Sequence, residues 1–237
     1  MNSHVSTRSR CAGVLLAAAF FISNQLFAAD ILYVAHLSLN TQDTYVVNRL
    51  RSQGHTVTVV ADDKATVAHA SGKAMVVLSM SVDLGKNLGT TFKNVTIPVV
   101  TWNDELQTQL GWTGPTKNAH YGRSDKITSI IIEDPTHPLA AGFAAGDLTI
   151  LTDDDEHLGW GIPNSSAQVT VVAILPVNAR KAIYEYKPGA TLHDGSIAAA
   201  RRIFFFLGDT APDQMNENFV RLMDAVFDYA AYGNLSI

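Results

Sequence analysis

Three residues of this sequence could share the work of a nucleophile: Ser81, His193 and Glu185. Ser81 follows an apolar run at 74–78 and precedes a helix-like segment, where a hydroxyl can be turned out at a strand end. A histidine would take its proton, and Glu185 or Asp194 would orient the ring. The stretch from Ser79 to Asp83 lacks the glycines that such a sharp turn uses, so a serine that caps the next helix is the competing reading. A second set could bind without breaking a bond. His36, Ser81, Trp102, Asn103 and Glu105 combine an imidazole, a hydroxyl, an amide and a carboxylate with an aromatic face. That mixture suits a small polar ligand such as a saccharide, whose ring stacks while its hydroxyls are hydrogen-bonded.

Other chemistries find less support. The turn from His36 to Asn40 contains no glycine, so it lacks the close backbone approach that a pyrophosphate needs. Gly85-Lys86 and Gly89-Thr90 are in the wrong order for a phosphate loop, and no His-Glu-x-x-His helix is present. The acidic run at 153–156, followed by His157, lacks the alternate spacing and central glycine of a calcium loop. It reads as a solvated loop, and no metal ligands are assigned. With 17 basic and 22 acidic side chains the net charge is -5, and nucleic acid is a poor partner.

The elements that must position these residues alternate. Strands are expected at 31–35, 56–60, 74–78 and 97–101, with a helix capped by Asn40 and stopped by Gly54 between the first two. These strands are apolar throughout, as when helices cover both faces of a parallel sheet. The second half is richer in strands, at 126–132, 148–151, 169–174, 182–186 and 202–207, with 159–163 read as a turn-rich connection. Phe219, Leu222, Met223, Val226, Phe227 and Ala230 form the stripe of a C-terminal core helix. In an open α/β sheet the strands' carboxyl ends hold the ligand, so the polar residues after each strand are expected to converge on one crevice.

Residues 1–29 differ from the rest. Arg8 and Arg10 precede an apolar run at 11–22, and small residues close the segment at Ala28 and Ala29. This is the layout of a signal peptide, and its apolar run of about 12 residues is short of the roughly 20 that span a bilayer. The expected product is a periplasmic or secreted single domain, 30–237, with no stable membrane insertion. The leader carries Cys11, the only cysteine, so the mature chain has no thiol for a nucleophile or a disulfide.

Eight segments fall in one order: 31–34, 54–57 (GHTV), 76–81 (VVLSMS), 97–103 (IPVVTWN), 137–142 (HPLAAG), 158–161 (LGWG), 182–189 (AIYEYKPG) and 200–207 (ARRIFFFL). With the C-terminal helix, this series resembles the ThuA-like (trehalose-utilisation-type) branch of the class I glutamine amidotransferase-like superfamily. The resemblance implies a flavodoxin-like α/β sandwich with a mostly parallel sheet. It also implies an elbow after the third strand, where the superfamily's glutaminases carry a cysteine and this chain carries Ser79, Met80 and Ser81. Glutamine hydrolysis by that mechanism is therefore excluded. Three function classes remain: a binding module for a small polar ligand, a hydrolase of a glycan or ester using Ser81 or the carboxylates Glu105 and Glu185, and a structural partner in a cell-envelope complex.

Overall fold

The computed structural model describes residues 28–165 and 168–233. Of the segment 1–29 read as a signal peptide, residues 1–27 lie outside them. The first half builds the parallel part of one sheet. Strand β1 (Asp30–Ala35) leads through α1 (Thr41–Ser52) to β2 (Thr56–Ala61), and the chain returns past β1 to β3 (Met75–Leu78). A short helix α2 (Leu88–Phe92) then leads to β4 (Val99–Thr101), followed by α3 (Leu106–Gln109). Strand β11 (Arg202–Phe205), the last among the described residues, inserts beside β4 and is also parallel to it. The parallel order is thus β2-β1-β3-β4-β11.

The strand-rich second half extends this sheet with antiparallel strands. Beyond β11 come β10 (Lys181–Tyr186), β9 (Val169–Ile174), β6 (Ser129–Ile132) and β7 (Gly146–Thr149). Two strands fall where no strand was expected. β5 (Tyr121–Ser124) and β8 (Leu158–Gly161) pair with each other, and β8 touches β10 at Gly161. The segment 159–163 is thus strand for its first three residues rather than turn. Its glycines are needed for close approach: a Cβ on Gly161 would lie 1.9 Å from Gln107 Oε1, and one on Gly159 would lie 3.2 Å from Phe204.

Each face of the sheet has its own core. On one, Val46, Val47 and Leu50 of α1 and the stripe of α4 (Glu217–Tyr232) cover Ile31, Tyr33, Val77 and Phe205. On the other, Leu88, Phe92, Leu106 and Leu110 cover Leu32, Val76, Val99 and Phe204. Helix α1 begins as expected: Asn40 Oδ1 accepts from Asp43 N at 2.7 Å, satisfying one of the free N–H groups of the first turn. Among the described residues no helix is long and apolar enough to cross a membrane.

Arg202, fully buried at the start of β11, donates to the carbonyls of Lys93, Val95, Ile97 and Arg201 and so ties the α2–β4 connection to the sheet. Burial pulls its guanidinium down to about 10, which still leaves it charged at neutral pH. At the same edge lies His55, 5% exposed. Burial pulls its pKa below the usual 6.5, and the negative charge of Asp228 opposes this only in part. A base with a lowered folded-state pKa binds fewer protons folded than unfolded, so its contribution is complete above about pH 6.5 and is lost as pH falls. Stability is therefore expected to decline below pH 6.5, with part of the slope removed in His55→Gln. Melting temperatures of both proteins from pH 7 to pH 5 check this, and identical slopes would refute it.

Candidate functional site

The carboxyl ends of β1, β3, β4 and β11 form one edge, and the chain reverses direction across the sheet between β1 and β3. At the end of β1, His36 is exposed, its Nδ1 accepts from Ser38 N at 3.3 Å, and its backbone N–H donates to Ser81 Oγ at 3.1 Å. After β3 come the two serines. Ser79 is fully buried and donates to Asp43 Oδ1, which also accepts from Tyr33 OH at 2.8 Å. Burial, reinforced by Asp43, pushes the Tyr33 hydroxyl far above its usual pKa, so this hydroxyl stays protonated and acts as a donor. Ser81 is half-buried, its N–H donates to Ser79 Oγ at 3.2 Å, and the two Oγ atoms are 3.4 Å apart. Ser81 is thus the hydroxyl a ligand can reach. Among the described residues no imidazole is hydrogen-bonded to it.

After β4 the side chains divide between core and edge. Trp102 is fully buried, with its ring centroid 6.1 Å from that of Tyr33 and 6.4 Å from that of Phe227. Its Nε1 donates to Gln42 Oε1 at 3.2 Å. Trp112 and Trp160 are equally buried, so the expected aromatic face for a sugar ring is not on the surface. The large apolar area of these indoles goes into packing the core. Asn103 is also turned inward. Its Oδ1 accepts from the N–H groups of Glu105 and Leu106, capping α3, and its Nδ2 donates to Met80 O at 3.2 Å. It therefore holds the β3 and β4 loops together. Glu105 remains at the rim in an ion pair with Lys117, whose ammonium it stabilises.

Sequence reasoning missed four residues of this edge: Gln42, Asp43, Arg123 and Asp209. Arg123 on β5 bridges a fully buried Asp104, Nε to Oδ1 at 2.9 Å, and Asp209 after β11, Nη1 to Oδ2 at 2.7 Å. Burial draws the guanidinium down, but the hydrogen bond and charge of Asp104, with that of Asp209, more than offset this and raise it. Among the described residues Asp104 Oδ2 has no hydrogen-bond partner. Gln42 Nε2 donates to the carbonyls of Gly208 and Thr210, joining α1 to the loop after β11. Between them opens a cleft of about 560 Å³ lined by Asn40, Gln42, Asp209, Thr210, Pro212 and Asp213, among others. The rule that ligands sit at carboxyl ends would have found Asp209 had the parallel direction of β11 been readable.

The residues after β10 do not join this edge. β10 runs antiparallel to β11, so its carboxyl end leaves from the opposite side of the sheet. Glu185 is fully buried on the α4 face, where its Oε1 accepts from Tyr229 OH at 3.0 Å and meets His137 Nε2 at 3.3 Å. Burial, then the charge of Glu185, pushes the Tyr229 hydroxyl up, which keeps it a donor. Because His137 Nδ1 accepts from Leu139 N, its Nε2 carries the proton given to Glu185. Both ring nitrogens are therefore occupied in holding the fold. His193 faces His120, with ring centroids 6.0 Å apart. Ser81, His193 and Glu185 are not brought together, while His36, Ser81, Asn103 and Glu105 share one edge. The acidic loop at 153–156 is mostly exposed, and among the described residues no three His, Cys, Asp or Glu side chains form a metal-holding group.

No protein-family model matches this chain, and no curated protein does. Solved structures do. A protein described as part of a GMP synthase, from Thermoplasma acidophilum, is similar at a TM-score of 0.56 and 13% identity, over 86% of this chain and 96% of that one. The structure of PurLQS from Thermotoga maritima is similar at a TM-score of 0.50 and 12% identity, over 86% and 99%. Identities this low speak for architecture alone: the chain has the α/β fold of the class I glutamine amidotransferase-like proteins.

Proposed function

We propose that this protein is an exported, ThuA-like binding module without glutaminase activity. It takes a small polar ligand, a saccharide being the leading class, at the carboxyl edge of its parallel strands. The observation that carries this reading is the elbow after β3. It holds a hydroxyl pair in place of a thiol, Ser79 is locked on Asp43, and the accessible Ser81 bonds to a backbone N–H rather than to a base. Such an elbow can donate to and accept from a ligand, but it has no partner for proton removal among the described residues. At the same edge the cleft between α1 and the loop after β11 offers the exposed Asn40, Asp209 and Asp213, polar groups that suit vicinal hydroxyls, while Gln42 and Thr210 are buried in its floor. Export rests on the leader's layout, and the ligand class rests on the ThuA resemblance together with this polar lining.

A thermal-shift screen against mono- and oligosaccharides tests the reading. A ligand at 100 times its dissociation constant adds about 2.7 kcal/mol, several degrees in melting temperature. Asp209→Asn combined with Ser81→Ala is expected to abolish that shift, while the unliganded protein stays within about 1 kcal/mol of the parent, since exposed pairs contribute little. An undiminished shift in the double variant would remove this edge as the site. The serine version of the hydrolase alternative requires an adduct between Ser81 and a serine-directed phosphonate, and none is expected.

A further inference from the structure

The amino edge of the sheet, opposite the cleft, contains a group whose partner is set by where the leader ends. Ala28 is exposed, whereas Ala29 is 5% exposed and belongs to the core beneath α1 and α4. The Ala29 carbonyl accepts from Thr56 N at 2.9 Å, which starts the β1–β2 ladder one residue before β1 itself. The Ala29 nitrogen donates to His55 Nδ1 at 3.3 Å, and Tyr232 OH stands 3.2 Å from the same ring atom. Among the described residues His55 Nε2 is buried with no hydrogen-bond partner, and Asp228 is near enough for its charge to act on the ring.

We infer that a signal peptidase cleaves the Ala28–Ala29 bond and that the Ala29 amino group so released is held by His55 as the anchor of the mature chain's first strand. This rests on the export proposed above. Hydrolysis adds the hydroxyl of one water to the Ala28 carbonyl and its hydrogen to the Ala29 nitrogen, which then takes up a proton at neutral pH. The fold favours this bond over its neighbour. Cleavage after Ala29 would remove a core methyl, the acceptor of Thr56 N and the donor to His55 Nδ1, whereas cleavage after Ala28 removes only an exposed residue. Ala28 supplies the small residue directly before the cut, while the third position back is the bulkier Leu26. The lining is suited to an ammonium: a ring that burial keeps neutral offers its lone pair, and Asp228 supplies negative charge nearby.

The full chain with its leader, expressed in a Gram-negative bacterium and recovered from the periplasm, gives the first residue by intact mass. Ala29 is the expected result. A product that starts at Asp30 or later overturns the inference and leaves export standing, whereas a retained leader overturns the export reading itself. Capture of the amino group is read separately by reductive methylation near neutral pH, where α-amines react ahead of lysines. The Ala29 amine of the native protein is expected to react about tenfold more slowly than in His55→Leu, the effect of one buried hydrogen bond. Should that variant fail to fold, the same ratio is read between native protein and protein in concentrated urea. Equal rates would overturn the capture.

Discussion

Arg123→Met is expected to lower the unfolding free energy by about 3–5 kcal/mol, the cost of leaving a buried charge without its partner. Asp104 is fully buried, and among the described residues Arg123 is the only side chain hydrogen-bonded to its carboxylate. Methionine keeps most of the stem's packing, so the loss isolates the charge rather than the volume. Asp104→Asn added to Arg123→Met should restore most of the stability, because a neutral amide tolerates the buried position. Urea unfolding of the parent, the single variant and the double variant measures this cycle. Losses that simply add would mean that the two residues do not depend on each other. The same cycle bears on the site, since Arg123 also reaches Asp209 at the mouth of the cleft. A rescued double variant with impaired ligand binding would separate that second task from the first.

Trp102→Ala is expected to be comparably severe, about 3–5 kcal/mol, as for other large side chains removed from packed cores. The indole fills the space between Tyr33 on β1 and Phe227 on α4, and its loss also strips Gln42 Oε1 of its donor. Trp102→Phe should recover much of this, retaining the apolar contacts and losing the hydrogen bond. Calorimetric unfolding of both variants measures the difference. An alanine variant as stable as the parent would contradict the buried placement. Loss of ligand response in Trp102→Ala would therefore report an unfolded site, and Glu105, Ser81 and Asp209 are the informative positions for mapping.

The sequence made the parallel half legible because its signals agree. The strands at 31–35 and 56–60 are unbroken apolar runs, and between them Asn40 and Gly54 mark both ends of α1. β5 and β8 were not legible because glycine has low strand propensity, and each of these four-residue strands contains it. Those glycines answer to Gln107, Phe204 and Trp160, residues distant in sequence that no local pattern reveals. At the site, placing His36, Ser81 and Glu105 needed only the rule for strand ends. Glu185 followed a different rule. It alternates with Tyr184 and Tyr186, which face the other core, and its strand runs against β11. Neither its face nor its direction is visible in six consecutive residues. Trp102 shows the same limit, since one residue after a strand either turns out or folds under, and the space beneath α4 decides which.

The position of β11 has a kinetic consequence. It follows every other described strand in the chain, yet it lies between β4 and β10 and joins the parallel and antiparallel halves along the main path of the sheet. A chain still emerging from a ribosome or a translocation channel can assemble β1, β2, β3 and β4, but it cannot close the sheet until Phe205, the last residue of β11, is free. Such long-range parallel pairing makes folding slow, because loop closure must precede the contacts that reward it. The order of the strands therefore delays completion of the sheet until β11 has joined β4 to β10.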